Sequence, residues 1–79
     1  MAQIDINHLD KIEKTRNTIH DKVYTTYTIF ELGGKQYIQL DTYGKAERDN
    51  PGKISQSLQI DREAATQLMT LFAEAFHLQ

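Results

Sequence analysis

The side chains able to do chemistry are few. His8, His20 and His77 are far apart in sequence and fall near expected turns or chain ends. Glu74-x-x-His77 has the spacing that puts a carboxylate and an imidazole on one helix face, as in one arm of a metal site. Such a site draws its other arms from neighbouring helices, and this chain offers one confident helix, so the reading is an exposed helix end and no metal. Asp41 would serve as a general base if a second acid, a nucleophile or an oxyanion donor stood beside it, and none is identifiable. It reads instead as a strand carboxylate hydrogen-bonded to a cross-strand hydroxyl, Thr26. Gly44-Lys45 and Gly52-Lys53 resemble phosphate cradles, but a P-loop runs Gly-x-x-x-x-Gly-Lys-Ser/Thr into a helix, whereas Lys53 leads into a strand. No cofactor motif is present. The expectation is a protein that is not an enzyme.

Aromatic side chains are the stronger signal. Val23 to Tyr43 is dense in Tyr, Thr, Ile and Phe and is broken only by Gly33-Gly34, two residues suited to the positive φ values of a type I′ hairpin turn. That turn sets the register: Leu32 opposite Lys35, Phe30 opposite Tyr37, Ile29 opposite Ile38, Thr28 opposite Gln39, Tyr27 opposite Leu40, Thr26 opposite Asp41 and Tyr24 opposite Tyr43. Because strand side chains alternate, one face collects Val23, Tyr27, Ile29, Ile38 and Leu40 and is the expected core side. The other collects the pairs Phe30/Tyr37 and Tyr24/Tyr43 with Thr26, Thr28, Gln39 and Asp41 between them. Such a face could close a dimer or meet a protein, stack single-stranded bases, or fold into the protein's own interior.

The remaining elements must position that face. Asn50-Pro51-Gly52-Lys53 predicts a type II turn, and the loop before it carries Lys45 and Arg48. In Lys53–Asp61 the apolar Ile54, Leu58 and Ile60 join the core side, while Ser55, Ser57 and Gln59 extend the polar one. Asp61 caps a helix that runs to about His77, with Ala64, Ala65, Leu68, Leu71, Phe72, Ala75 and Phe76 forming a stripe laid across the sheet. Leu9 and Ile12 could belong to a short helix, and Lys11–Ile19 could equally form a first strand turning at His20-Asp21-Lys22; the strand, over roughly 12–19, is the favoured reading, and residues 1–10 are a candidate disordered segment. The fold class is therefore α+β, a single domain over 1–79: an antiparallel β-meander of three to four strands followed by one amphipathic C-terminal helix packed on one face.

Composition narrows the classes further. With 79 residues and no cysteine, the chain is neither a multidomain enzyme nor a disulfide-stapled module nor a cysteine-ligated zinc finger. No apolar run approaches the roughly 18 residues of a transmembrane helix, and the N-terminus lacks the layout of a signal peptide, so the expectation is a cytoplasmic protein without membrane contact. A domain this small buries only about 60–65% of its unfolded surface, which favours a homodimer or another partner. The net charge of −2 arises wholly in residues 54–79, where Arg62 stands against Asp61, Glu63 and Glu74. Residues 23–53 are balanced, so the hairpin and loop are neutral.

Two resemblances attach to these residues. Leu40-Asp41-Thr42-Tyr43-Gly44, then Arg48, Pro51-Gly52-Lys53 and Ser55-Gln56-Ser57, look like a family of short uncharacterised bacterial proteins; the likeness covers about residues 23–76, implies a bacterial or phage origin and assigns no chemistry. The order of elements, with a Pro-Gly-Lys turn leading into the last strand, resembles the single-stranded-DNA-binding fold of the transcriptional positive-cofactor family. That resemblance implies dimerisation through the helix and strand binding on the sheet. The expected site is accordingly Tyr24, Phe30, Tyr37 and Tyr43 for stacking, with Lys35, Lys45, Arg48 and Lys53 for phosphates. The alternative is a protein partner, as for a bacterial or phage regulator or inhibitor.

Overall fold

A hairpin and its neighbour strand organise the molecule. The computed structural model describes residues 1–44 and 52–79. Strands β2 (Thr25–Leu32) and β3 (Lys35–Tyr43) form the hairpin, β4 (Ile54–Asp61) pairs antiparallel with β3, and the helix α1 (Arg62–Phe76) follows at once. A two-residue strand β1 (Ala2–Gln3) lies parallel to β4, giving the order β1-β4-β3-β2. The architecture is α+β, a β2-β3-β4 meander with a C-terminal helix packing on the sheet.

The hairpin follows from its turn. Gly33 and Gly34 have φ of 61° and 79°, the left-handed values a type I′ turn needs at both centres. A Cβ at either position would meet nothing within 4 Å, so backbone conformation and not space selects glycine there. The pairing is Leu32 with Lys35, Phe30 with Tyr37, Ile29 with Ile38, Thr28 with Gln39, Tyr27 with Leu40 and Thr26 with Asp41, as the turn predicts. Tyr24 lies just outside β2, and its carbonyl accepts the Tyr43 N–H at 3.0 Å. The expected turn at Asn50–Lys53 begins outside the described residues; Gly52, with φ 75°, is within them.

The helix has defined ends. Asp61 closes β4 and its carboxylate accepts the Ala64 N–H at 2.9 Å, satisfying one of the four free donors of the first turn. At the other end His77 takes φ 55°, and the Leu78 N–H reaches the Ala73 carbonyl at 3.0 Å, a Schellman closure. Replacing Asp61 by Ala should cost about 1 kcal/mol and lower the melting temperature by roughly 4–8 °C, measurable by thermal circular dichroism.

Two expectations need correcting. Residues 12–19 form no strand and are exposed throughout. Neither alternating face of that stretch is apolar: Ile12 shares one with Lys14 and Arg16, and Ile19 shares the other with Glu13, Thr15 and Asn17, so a strand there has nothing to bury. Residues 1–10 are instead tied to the sheet. The Ile4 N–H bonds the Gln59 carbonyl at 3.0 Å, and a short 3-10 helix at Ile6–His8 packs against α1. Asp5 caps that turn, and its hydrogen bond from the His8 ring, then that from the Asn7 N–H, hold its carboxyl below the usual value.

The core is also placed differently. The helix packs beside β4 and on the 3-10 helix, so Ala64 is fully buried and Ala65 and Leu68 are half-buried. Farther along the same stripe, Phe72 and Phe76 stay open at 50% and 70% exposure. The expected core side of the sheet is open too, with Tyr27 at 69%, Ile29 at 66% and Leu58 exposed beside half-buried Ile38, Leu40 and Ile60. Among the described residues Ala64 is the only buried apolar side chain. The protomer presents 7595 Å² of accessible surface, whereas a folded monomer of its mass presents ~4,900 Å². Part of the excess is the extended stretch after the 3-10 helix.

Candidate nucleic-acid interface

The second face of the sheet carries the candidate site. Alternation along β2 and β3 puts Thr26, Thr28, Phe30, Tyr37, Gln39, Asp41 and Tyr43 on it, and the β3–β4 register adds Ser57 and Gln59. At the hairpin end Phe30 and Tyr37 stack with centroids 5.4 Å apart and planes 22° from parallel. At the other end Tyr24 and Tyr43 sit 5.3 Å apart at 48°. Six residues of strand separate Tyr24 from Phe30, so the pairs stand roughly 20 Å apart along the sheet. The Thr26 hydroxyl meets the Tyr43 hydroxyl at 3.2 Å, fixing one side of that second pair.

A polar line joins β3 and β4 between the aromatic pairs. Asp41 is 6% exposed, and its Oδ1 accepts both the Ser57 hydroxyl and the Gln39 amide, the latter at 2.9 Å. Gln39 Oε1 in turn accepts Gln59 Nε2 at 2.8 Å. The cross-strand partner expected for Asp41 was Thr26; its hydroxyl partner is Ser57, and Thr26 bonds Tyr43 instead. A strand has two neighbours, and β4 supplies the closer hydroxyl. No buried side-chain nitrogen or oxygen among the described residues lacks a hydrogen-bond partner, so the line is a satisfied network.

Of the expected site residues, Tyr24, Phe30, Lys35, Tyr37 and Tyr43 share this face, with Lys35 beside the Phe30/Tyr37 pair. Lys53 immediately precedes Ile54, the partner of Tyr43, so it stands at the opposite end of the sheet. Lys45 and Arg48 lie outside the described residues. Gln39, Ser57 and Gln59 did not figure as site residues. Alternation places all three on the polar face, but which β3 residue meets which β4 residue depends on the β3–β4 register, which the hairpin does not set and which shifts at Thr42/Tyr43.

Among the described residues no three His, Cys, Asp or Glu side chains gather as a metal cluster, and no helix is long and apolar enough to cross a membrane. The arrangement offers flat rings, amides and hydroxyls, with the Lys35 ammonium group beside one aromatic pair. No protein-family model matches the chain, and no curated protein or solved structure matches it.

Proposed function

We propose that the chain is a non-catalytic binding module that works as a homodimer and engages single-stranded nucleic acid on the aromatic face of its sheet. The observation that carries the reading is the division of the sheet into two unlike faces. One is apolar and uncovered, the surface a second copy would bury. The other holds two aromatic pairs about 20 Å apart across a polar line, with a lysine at each end. Bases stack on such rings for about 1–3 kcal/mol each, and lysines at the margins meet the phosphates. The proposed setting is cytoplasmic.

Charge favours a second reading, a protein partner on the same face. Lys35 and Lys53 are the only cations flanking it among the described residues, and Asp41 lies at its centre. Fluorescence anisotropy with a labelled single-stranded dodecamer separates the two. The nucleic-acid reading predicts saturable binding whose affinity falls with salt, with a logarithmic slope of about −0.7 per phosphate contacted, or roughly −1.4 per protomer for Lys35 and Lys53. Lys35→Glu with Lys53→Glu should then abolish it. Absence of binding at low salt, together with a stoichiometric complex from lysate that survives nuclease, would favour the protein partner.

A further inference from the structure

We propose that β2 is a self-pairing edge: two copies of the chain join antiparallel through β2, about a twofold axis at Thr28, into one continuous sheet. The inference rests on the homodimer reading and specifies the contact that brings the second copy in. The order β1-β4-β3-β2 leaves β2 with one neighbour. Which of its backbone groups that neighbour uses follows from the hairpin. In an antiparallel pair, alternate residues exchange both hydrogen bonds with the residue opposite, and those between them point away. The bond from the Tyr43 N–H to the Tyr24 carbonyl fixes the phase. From there the register runs unbroken to the turn, so Thr26, Thr28, Phe30 and Leu32 bond β3. The N–H and C=O groups of Thr25, Tyr27, Ile29 and Glu31 point out of the sheet edge, and among the described residues no backbone hydrogen bond reaches them.

Edges left in water are ordinarily blunted by shortness, proline, lysine, a bulge or a covering segment. The opposite edge shows such a device, since β1 lies along β4 and the Ile4 N–H bonds the Gln59 carbonyl. β2 runs eight residues without proline or lysine, pairs with β3 without a bulge, and carries Glu31 as its single charge. Its outward positions are also self-complementary. A twofold axis at Thr28 sets Tyr27 opposite the partner's Ile29 and Thr25 opposite the partner's Glu31, so every outward group of β2 is bonded. A shift of two residues either way leaves Thr25 or Glu31 without a β2 partner. No like charges face each other in this register. Tyr27 and Ile29, 69% and 66% exposed in one copy, each gain a cross-strand apolar neighbour, so the same contact covers part of the apolar face. Antiparallel pairing keeps like faces on the same side, and the two aromatic faces become one platform.

Amide hydrogen exchange of the wild-type protein at high and low concentration tests the pairing. The N–H groups of Tyr27 and Ile29 should exchange at least ~10-fold more slowly in the concentrated sample, so that the alternation along β2 disappears. A dimer joined elsewhere leaves them as fast as in the dilute sample. Engineered thiols test the register, because the chain has no cysteine. Thr28 is exposed and faces its own copy across the axis, with Cα atoms about 4.5 Å apart, within the span of a disulfide. Thr28→Cys should therefore oxidise to a covalent dimer in high yield. Leu32→Cys, whose two copies stand roughly 27 Å apart, should not. The wild-type exchange decides the matter if Thr28→Cys does not fold. In a sample that sediments as a dimer, three results would overturn edge pairing and leave the homodimer reading standing: no Thr28→Cys cross-link in the folded variant, equal cross-linking of both variants, or fast exchange at Tyr27 and Ile29. A protein that is monomeric at every concentration would overturn both.

Discussion

Replacing Tyr27 and Ile29 together by glutamate is expected to abolish dimerisation and, with it, cooperative folding. Both side chains lie on the apolar face, at 69% and 66% exposure in one copy. That face and the open end of the helix stripe contain the apolar surface a stable fold would hide. The protomer alone buries Ala64 and little else that is apolar among the described residues. Two carboxylates placed at such an interface would lose their water without gaining partners, at a cost of several kcal/mol each. Sedimentation should therefore show loss of the dimer, and circular dichroism should show loss of the cooperative thermal transition. Tyr27→Phe, which keeps the ring, should retain both. A double variant that stays folded and melts like wild type would mean that the apolar face is not an interface.

The second large effect falls on the opposite face. Tyr37→Ala and Tyr43→Ala should each weaken binding of a single-stranded dodecamer by about 1–3 kcal/mol, or roughly 5- to 150-fold. Each also loses a cross-strand ring contact, with Phe30 or with Tyr24, worth about 0.5–1.5 kcal/mol. Circular dichroism verifies that the sheet persists in each variant, which separates a loss of binding from a loss of fold. Tyr43→Phe retains the stacking surface and gives up only the hydroxyl contact to Thr26, so it should bind nearly as wild type does. Unchanged affinity in both alanine variants would remove the aromatic face from the binding account.

Local chemistry explains what could be read from the residues alone. Gly33-Gly34 demands a turn type, that turn fixes a register, and the register assembles both aromatic pairs and Lys35 on one face. Asp61 and the uninterrupted run after it define α1 just as directly. What was not legible depends on contacts between distant segments. β1 is two residues long and exists because the edge of β4 accepts it, which no pattern in Ala2-Gln3 encodes. The Asp41–Ser57 and Gln39–Gln59 contacts need the β3–β4 register, which lies beyond the long loop. Periodicity also identifies Tyr27, Ile29 and Phe72 as side chains that must be covered without saying by what. The helix was the expected cover, yet its contacts are with β4 and the 3-10 helix.

The four tyrosines allow both faces to be examined at once, since Tyr24, Tyr37 and Tyr43 flank the polar line and Tyr27 is on the apolar side. Ring-selective isotope labelling followed by NMR titration with a single-stranded dodecamer is the most direct measurement. The account predicts that the resonances of Tyr24, Tyr37 and Tyr43 shift together while Tyr27, covered by the second copy, keeps its position. A titration in which Tyr27 shifts and the other three do not, or in which none of the four responds, would contradict it.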